Sequence, residues 1–144
     1  MALHLIKLCV GCDSPEELEE WIGRRLAEKK KRGETPEHFH TTRMIPRRVD
    51  ELVEGGSLYW VIRGMVQCRQ RLLDIRAFVD GEGVSRCHLV LDPAVVRTEW
   101  QPRRPFQGWR YLKPAEAPAD RGSGGDTAEL PDHLRRELTE LGLL

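Results

Sequence analysis

The sequence predicts an α+β domain built on a mostly antiparallel sheet, and three observations carry that prediction. Leu73, Ile75, Ala77 and Val79 alternate with Asp74, Arg76 and Asp80, the period of a strand with one buried face. Beyond the turn D-G-E-G, the set Ser85, Cys87, Leu89 and Leu91 alternates with Arg86 and His88, and Asp80-Gly81 tolerates positive φ, so the two segments should pair as a hairpin. Leu58 to Ile62 is apolar without alternation, as in a strand covered on both faces.

Taken in order, Leu3 to Cys9 is expected to be a short strand, and Gly11 to Ser14 turns out of it. Ser14 has the character of an N-cap, with Pro15 at the first helical position and Glu17 completing a capping box. Leu18, Trp21, Ile22 and Leu26 then share one helical face, so this stripe, Trp21 included, should pack on the sheet. Lys29-Lys30-Lys31-Arg32 before Gly33 is what the macrodipole and an αL cap favour at a helix C-terminus. Gly33 to Thr42 reads as a loop carrying His38 and His40.

Pro46, then Val49, Leu52 and Val53, then Gly55-Gly56, describe a short helix that delivers the chain into the strand at Ser57. Gly64 to Gln70 should join strands through a bend or bulge, Val95 to Trp100 alternates again, and Trp109 to Leu112 rejoins the sheet. Residues 1–114 are expected to form the domain. Residues 115–130, rich in Ala, Pro, Gly and Ser, read as a flexible linker. Residues 131–144 read as a closing helix with Leu134, Leu138 and Leu141 on one face, too short to hold itself together in water.

A chain of 144 residues buries about 70% of its unfolded surface, enough for an ordinary core without staples. The longest run of large apolar residues, Leu58 to Ile62, is far short of the ~20 that cross a bilayer. His4 and Lys7 interrupt the N-terminal apolar stretch, so no secretory leader is expected, and four reduced thiols in the cytoplasm are the default. The net charge of zero is unevenly spread: residues 43–110 carry 12 Lys+Arg against 8 Asp+Glu, while residues 1–42 carry 7 against 8 and residues 111–144 carry 4 against 7. The sheet region can therefore present a basic surface, made of arginines that suit planar and stacking contacts.

The segment that best combines charge with rings is Arg97, Trp100, Arg103, Arg104, Phe106, Trp109, Arg110 and Tyr111. Bases stack on aromatic faces and guanidinium planes while phosphates take the remaining arginines, so this mixture suits a single-stranded or flipped-out nucleotide. Arg43, Arg47 and Arg48 could extend the patch, and Tyr59 or Trp60 could line it. The plainer reading makes the tryptophans core plugs whose surfaces the arginine stems cover. Cys9-Val-Gly-Cys12 is the competing site, between a strand and a helix N-terminus where a thiol pKa can fall. With His38 and His40 it offers a weak metal-ligand set, lacking a second C-x-x-C or zinc-finger spacing. No phosphate-cradling glycine loop and no G-x-S-x-G elbow is present, so a catalytic signature is missing.

The order strand, capped helix, short helix, glycine turn and then Leu58-Tyr59-Trp60-Val61 resembles the PUA-like superfamily, especially its EVE and ASCH branches. Over its whole length, from L-H-L-I-K-L-C-V-G through R-P-F-Q-G-W-R-Y-L, the chain also resembles a bacterial family known only as a domain of unknown function. Ser57 follows the turn glycine where an acidic residue is common in the EVE and PUA branches. The first resemblance implies a β-pseudobarrel that binds RNA or a modified base in a cleft beside the barrel. The function expected is a non-enzymatic binding module for RNA or a modified nucleotide, without cofactor. A thiol- or metal-dependent enzyme centred on Cys9 and Cys12 is one alternative. A protein-interaction module that uses the closing helix, on a partner or a second copy, is the other.

Overall fold

The computed structural model describes residues 3–121, in the order β1 (His4–Leu8), α1 (Pro15–Lys31), β2 (His38–Thr42), α2 (Val49–Val53), β3 (Ser57–Ile62), β4 (Met65–Val79), β5 (Ser85–Leu91), β6 (Val96–Pro102) and β7 (Trp109–Leu112). A 3-10 turn follows at Pro114–Glu116. The strand order is β2-β5-β4-β3-β1-β7, with β6 also paired to β4. Every pair is antiparallel except β1 with β3, so the molecule is a sheet-rich α+β domain with an open, mixed, mostly antiparallel sheet. The closing helix expected at residues 131–144 lies outside the described residues, and among these no helix is long and apolar enough to cross a membrane.

β4 organises the rest. Its first half pairs with β3 on one side and β6 on the other, and its second half pairs with β5. At Gly64 to Gln70, where a bend or bulge is expected, a tight turn at Arg63 and Gly64, both at positive φ, leads into β4, and the register then shifts at Gln67 against both β3 and β6. Gln67 and Gln70 are buried there. Gln67 donates to the Ile62 carbonyl at 2.7 Å, and Gln70 accepts from Trp60 Nε1 at 2.8 Å while donating to the Asp92 carbonyl. These bonds satisfy polar groups that would otherwise be costly in the interior, but they leave Gln67 Oε1 buried without a partner among the described residues.

The hairpin forms, with three corrections. The register shifts between Leu72 and Asp74, which places the extra residue, Leu73, outward at 49% exposure while Leu72 is fully buried. Ala77 and Val79, expected on the buried face, are also exposed. The turn is longer than Asp80-Gly81. Asp80 Oδ1 accepts from the backbone of Glu82 and Val84, and positive φ falls on Gly83.

Two apolar clusters lie on opposite faces of the sheet, which is why all six residues of β3 are buried. Leu58, Trp60 and Ile62 point into the larger, with Leu5, Leu18, Ile22, Leu89 and Trp109; Tyr59 and Val61 point into the smaller, with Ile6, Val66 and Leu112. α1 covers the larger cluster. Ser14 Oγ accepts from Glu17 N at 3.2 Å, Glu17 accepts from Asp13 N, and Gly33 closes the helix at φ 72°. Lys29 in the basic run is buried and donates to the Glu37 carbonyl, so that run has structural work. Gly56 is irreplaceable on steric grounds, since a Cβ would stand 2.2 Å from the carbonyl oxygens of Leu3 and Leu52.

Three further expectations change. Residues 38–42 form edge strand β2 against β5 rather than a loop, because His38 and Thr42 bury while Thr41 faces out beside His88. Trp21, expected in the packed stripe, is 41% exposed. Residues 115–121, read from composition as the start of a linker, lie on the domain: Ala117 packs on the smaller cluster, Asp120 bridges to Thr98, and Arg69 grips Asp120 with two 2.8 Å bonds.

Candidate nucleic-acid interface

The α1 stripe leaves a gap beside Trp21, and β1, β2 and β3 present Lys7, His38, His40 and Trp60 toward it. The result is a pocket of about 460 Å³ whose walls also include Cys9, Cys12, Glu20 and Arg24. Strand alternation places the two histidines: His38 and His40 face inward, Phe39 outward. His40 stands edge-on to Trp60 at 5.3 Å and His38 edge-on to Trp21 at 6.2 Å. Burial, reinforced by neighbouring cations, lowers both imidazoles to about 4, so both are neutral at pH 7. A neutral imidazole carries one donor and one acceptor. Burial also lowers the Lys7 ammonium from its ordinary value.

Cys9 in this pocket is unlike an activated thiol. Burial first, then Cys12 beside it, pushes Cys9 well above the usual thiol range, and Cys12 Sγ donates to the Ser14 carbonyl at 3.0 Å. Burial also pushes Cys68 up to about 12. Cys9, Cys12, His38 and His40 line the one pocket, yet among the described residues no three His, Cys, Asp or Glu side chains come close enough together to hold a metal ion.

The arginine-aromatic segment is split by the fold. Arg103, Arg104, Phe106, Arg110 and Tyr111 do line one shallow groove of about 410 Å³, with the Arg110 guanidinium 4.9 Å from the Phe106 ring. Trp109 does not join them. It is 8% exposed, sits in the larger core cluster and donates Nε1 to the Met44 carbonyl at 2.8 Å. Trp100 is half-buried on β6 and outside the groove's lining, and Arg97 is held by Glu16 and Glu19 of α1.

Arg48 pairs with Glu51 and leans over Tyr111, whose hydroxyl accepts from Arg47 N at 2.9 Å, while Arg43 is exposed. Tyr59 is buried on the far face, where His4 stacks edge-on against it and Ser57 Oγ accepts from Arg69. The groove uses Ile6 and the pocket uses Lys7, adjacent residues of β1 that point to opposite faces. Among the pocket residues the sequence reading singled out Trp60, His38, His40, Cys9 and Cys12. It missed Lys7, Arg24 and the exposed Trp21, for which spacing along the chain carries no signal.

Fold and pocket together define a small α+β domain with one ring-walled, solvent-connected pocket and a separate basic groove. The chain belongs to the family described as "Protein of unknown function (DUF1489)", whose match runs over residues 5–144. No curated protein and no solved structure matches it.

Proposed function

We propose that this protein is a non-enzymatic module that binds RNA or a modified nucleotide, with one base held in the pocket between α1, β1, β2 and β3. The observation that carries the reading is the pairing of Trp60 and Trp21 with two neutral imidazoles around a cavity of about 460 Å³. Rings supply stacking and edge contacts, and His38 and His40 offer hydrogen bonds to a base without imposing charge. Lys7 and Arg24 supply cations for the sugar-phosphate, and the Arg103 to Tyr111 groove on the opposite face is a second contact for a longer chain. The bent β4, shared between β3, β6 and β5, together with the parallel β1–β3 pair, supports reading the sheet as a PUA-like pseudobarrel.

Fluorescence polarisation of labelled single-stranded RNA tests this. Lys7→Ala with Arg24→Ala should weaken binding about tenfold or more with circular dichroism unchanged, and an unaltered curve contradicts the pocket assignment. The thiol or metal enzyme would use the same walls, through Cys9, Cys12, His38 and His40. Stoichiometric zinc in protein purified without added metal would favour that reading instead.

A further inference from the structure

The outer face of β2, β5 and β4 carries a row of rings that neither the pocket nor the groove uses. Phe39 of β2 lies 4.0 Å from the His88 ring of β5, and His88 stacks at 4.3 Å on Phe78 of β4. All three are partly exposed. Thr41 Oγ1 holds His88 Nδ1 at 3.1 Å, fixing the middle ring. At the β2 end, Lys29 Nζ sits 4.1 Å from the centre of Phe39, and the Arg25 guanidinium reaches both Phe39 at 5.9 Å and Trp21 at 4.7 Å.

Trp21 is also a wall of the pocket. The pocket and the ring row are therefore continuous around edge strand β2, through Trp21, Arg25 and Phe39. Arg76 and Arg86 on this face are spoken for by Glu37, Asp74 and Asp80, whereas Arg25 makes no ion pair among the described residues.

We infer that this face is a stacking track for a single-stranded polynucleotide that continues out of the pocket, so that the ligand is a strand rather than a free nucleotide. The inference rests on the base-pocket reading and extends it. The three rings stack on one another, so they meet a strand along their half-exposed edges and at the Phe78 end of the row, whatever the base, because every base has a π-face. The Arg25 guanidinium at one end of the row favours an anionic chain over an apolar helix. Thr41 and His88 between the phenylalanines likewise offer polar contacts that a leucine stripe would leave unmatched.

The test compares a labelled RNA octamer with a labelled dinucleotide on the full chain. Phe39→Ala with Phe78→Ala should weaken octamer binding by about tenfold or more while leaving the dinucleotide unchanged, and Phe39→Trp should restore much of the loss. Arg25→Gln, at a surface position, gives the same contrast should the double variant fold poorly. Octamer binding that survives both changes but is lost in the Lys7→Ala, Arg24→Ala protein overturns the track and spares the pocket. The row would then serve another occupant, such as residues 122–144 or a second copy. No binding of either probe by the unaltered protein removes both readings.

Discussion

The pocket beside α1 and the groove along residues 101–112 have similar volumes and share a strand, yet they are assembled in opposite ways. The groove draws most of its walls from one contiguous stretch, whereas the pocket gathers Lys7, Trp21, Arg24, His38, His40 and Trp60 from four elements. Density of suitable residue types along the chain therefore marks the groove, and only strand pairing reveals the pocket. The comparison also shows that the most eye-catching aromatic in the contiguous stretch, Trp109, is a structural anchor. It closes the 43–48 loop onto the core through Met44, while Trp21, the helix tryptophan expected to pack on the sheet, is partly exposed.

The sharpest way to break this contrast is Trp109→Ala. Removing a buried indole and its hydrogen bond should cost about 3–5 kcal/mol, read by chemical denaturation. A variant that kept its stability but lost RNA would show that Trp109 is a ligand contact after all.

Next in size is the pH response of the pocket. Unfolded imidazoles take up protons from about pH 6.5 downward, while folded His38 and His40 do so only near 4. Between those values the unfolded chain binds more protons, so the stabilisation present above pH 6.5 is lost as pH falls toward 4, on the order of 2 kcal/mol per histidine. Denaturation midpoints across that window should drop more steeply in the native protein than in His38→Gln, His40→Gln. Equal slopes would mean the rings are not held neutral.

The smallest expected effect belongs to the groove. Arg103→Ala with Arg104→Ala should lower RNA affinity modestly and flatten the slope of log affinity against log salt by about 1.4, as two phosphate contacts are lost. A loss as large as that of the pocket variant would make the groove the principal site.

Local chemistry explains what was legible. The Ser14 cap, the Gly33 exit, the apolar run of β3 and the Ser85 to Leu91 alternation are set by neighbours within a few residues, and each produced the element it suggested. The β2 strand was hidden because H-F-H-T-T has little apolar pattern of its own. It becomes a strand by pairing with β5, and its inward histidines become pocket walls only then. Leu73 misled because a one-residue bulge reverses the faces that alternation assigns. Residues 115–121 misled because Ala and Pro suit a linker equally well as a chain laid flat on a sheet, and the Arg69 to Asp120 grip spans 51 positions. Arg97 and Arg48 looked available for ligands until their carboxylate partners came into view.

The most direct test of the base pocket is side-chain NMR of the His38 and His40 imidazoles and the Trp60 indole N–H during titration with single-stranded RNA. The account predicts that these signals shift together and saturate at one binding constant. Shifts confined to the side chains of Arg103, Arg104, Phe106 and Arg110, with the pocket signals unmoved, would contradict it.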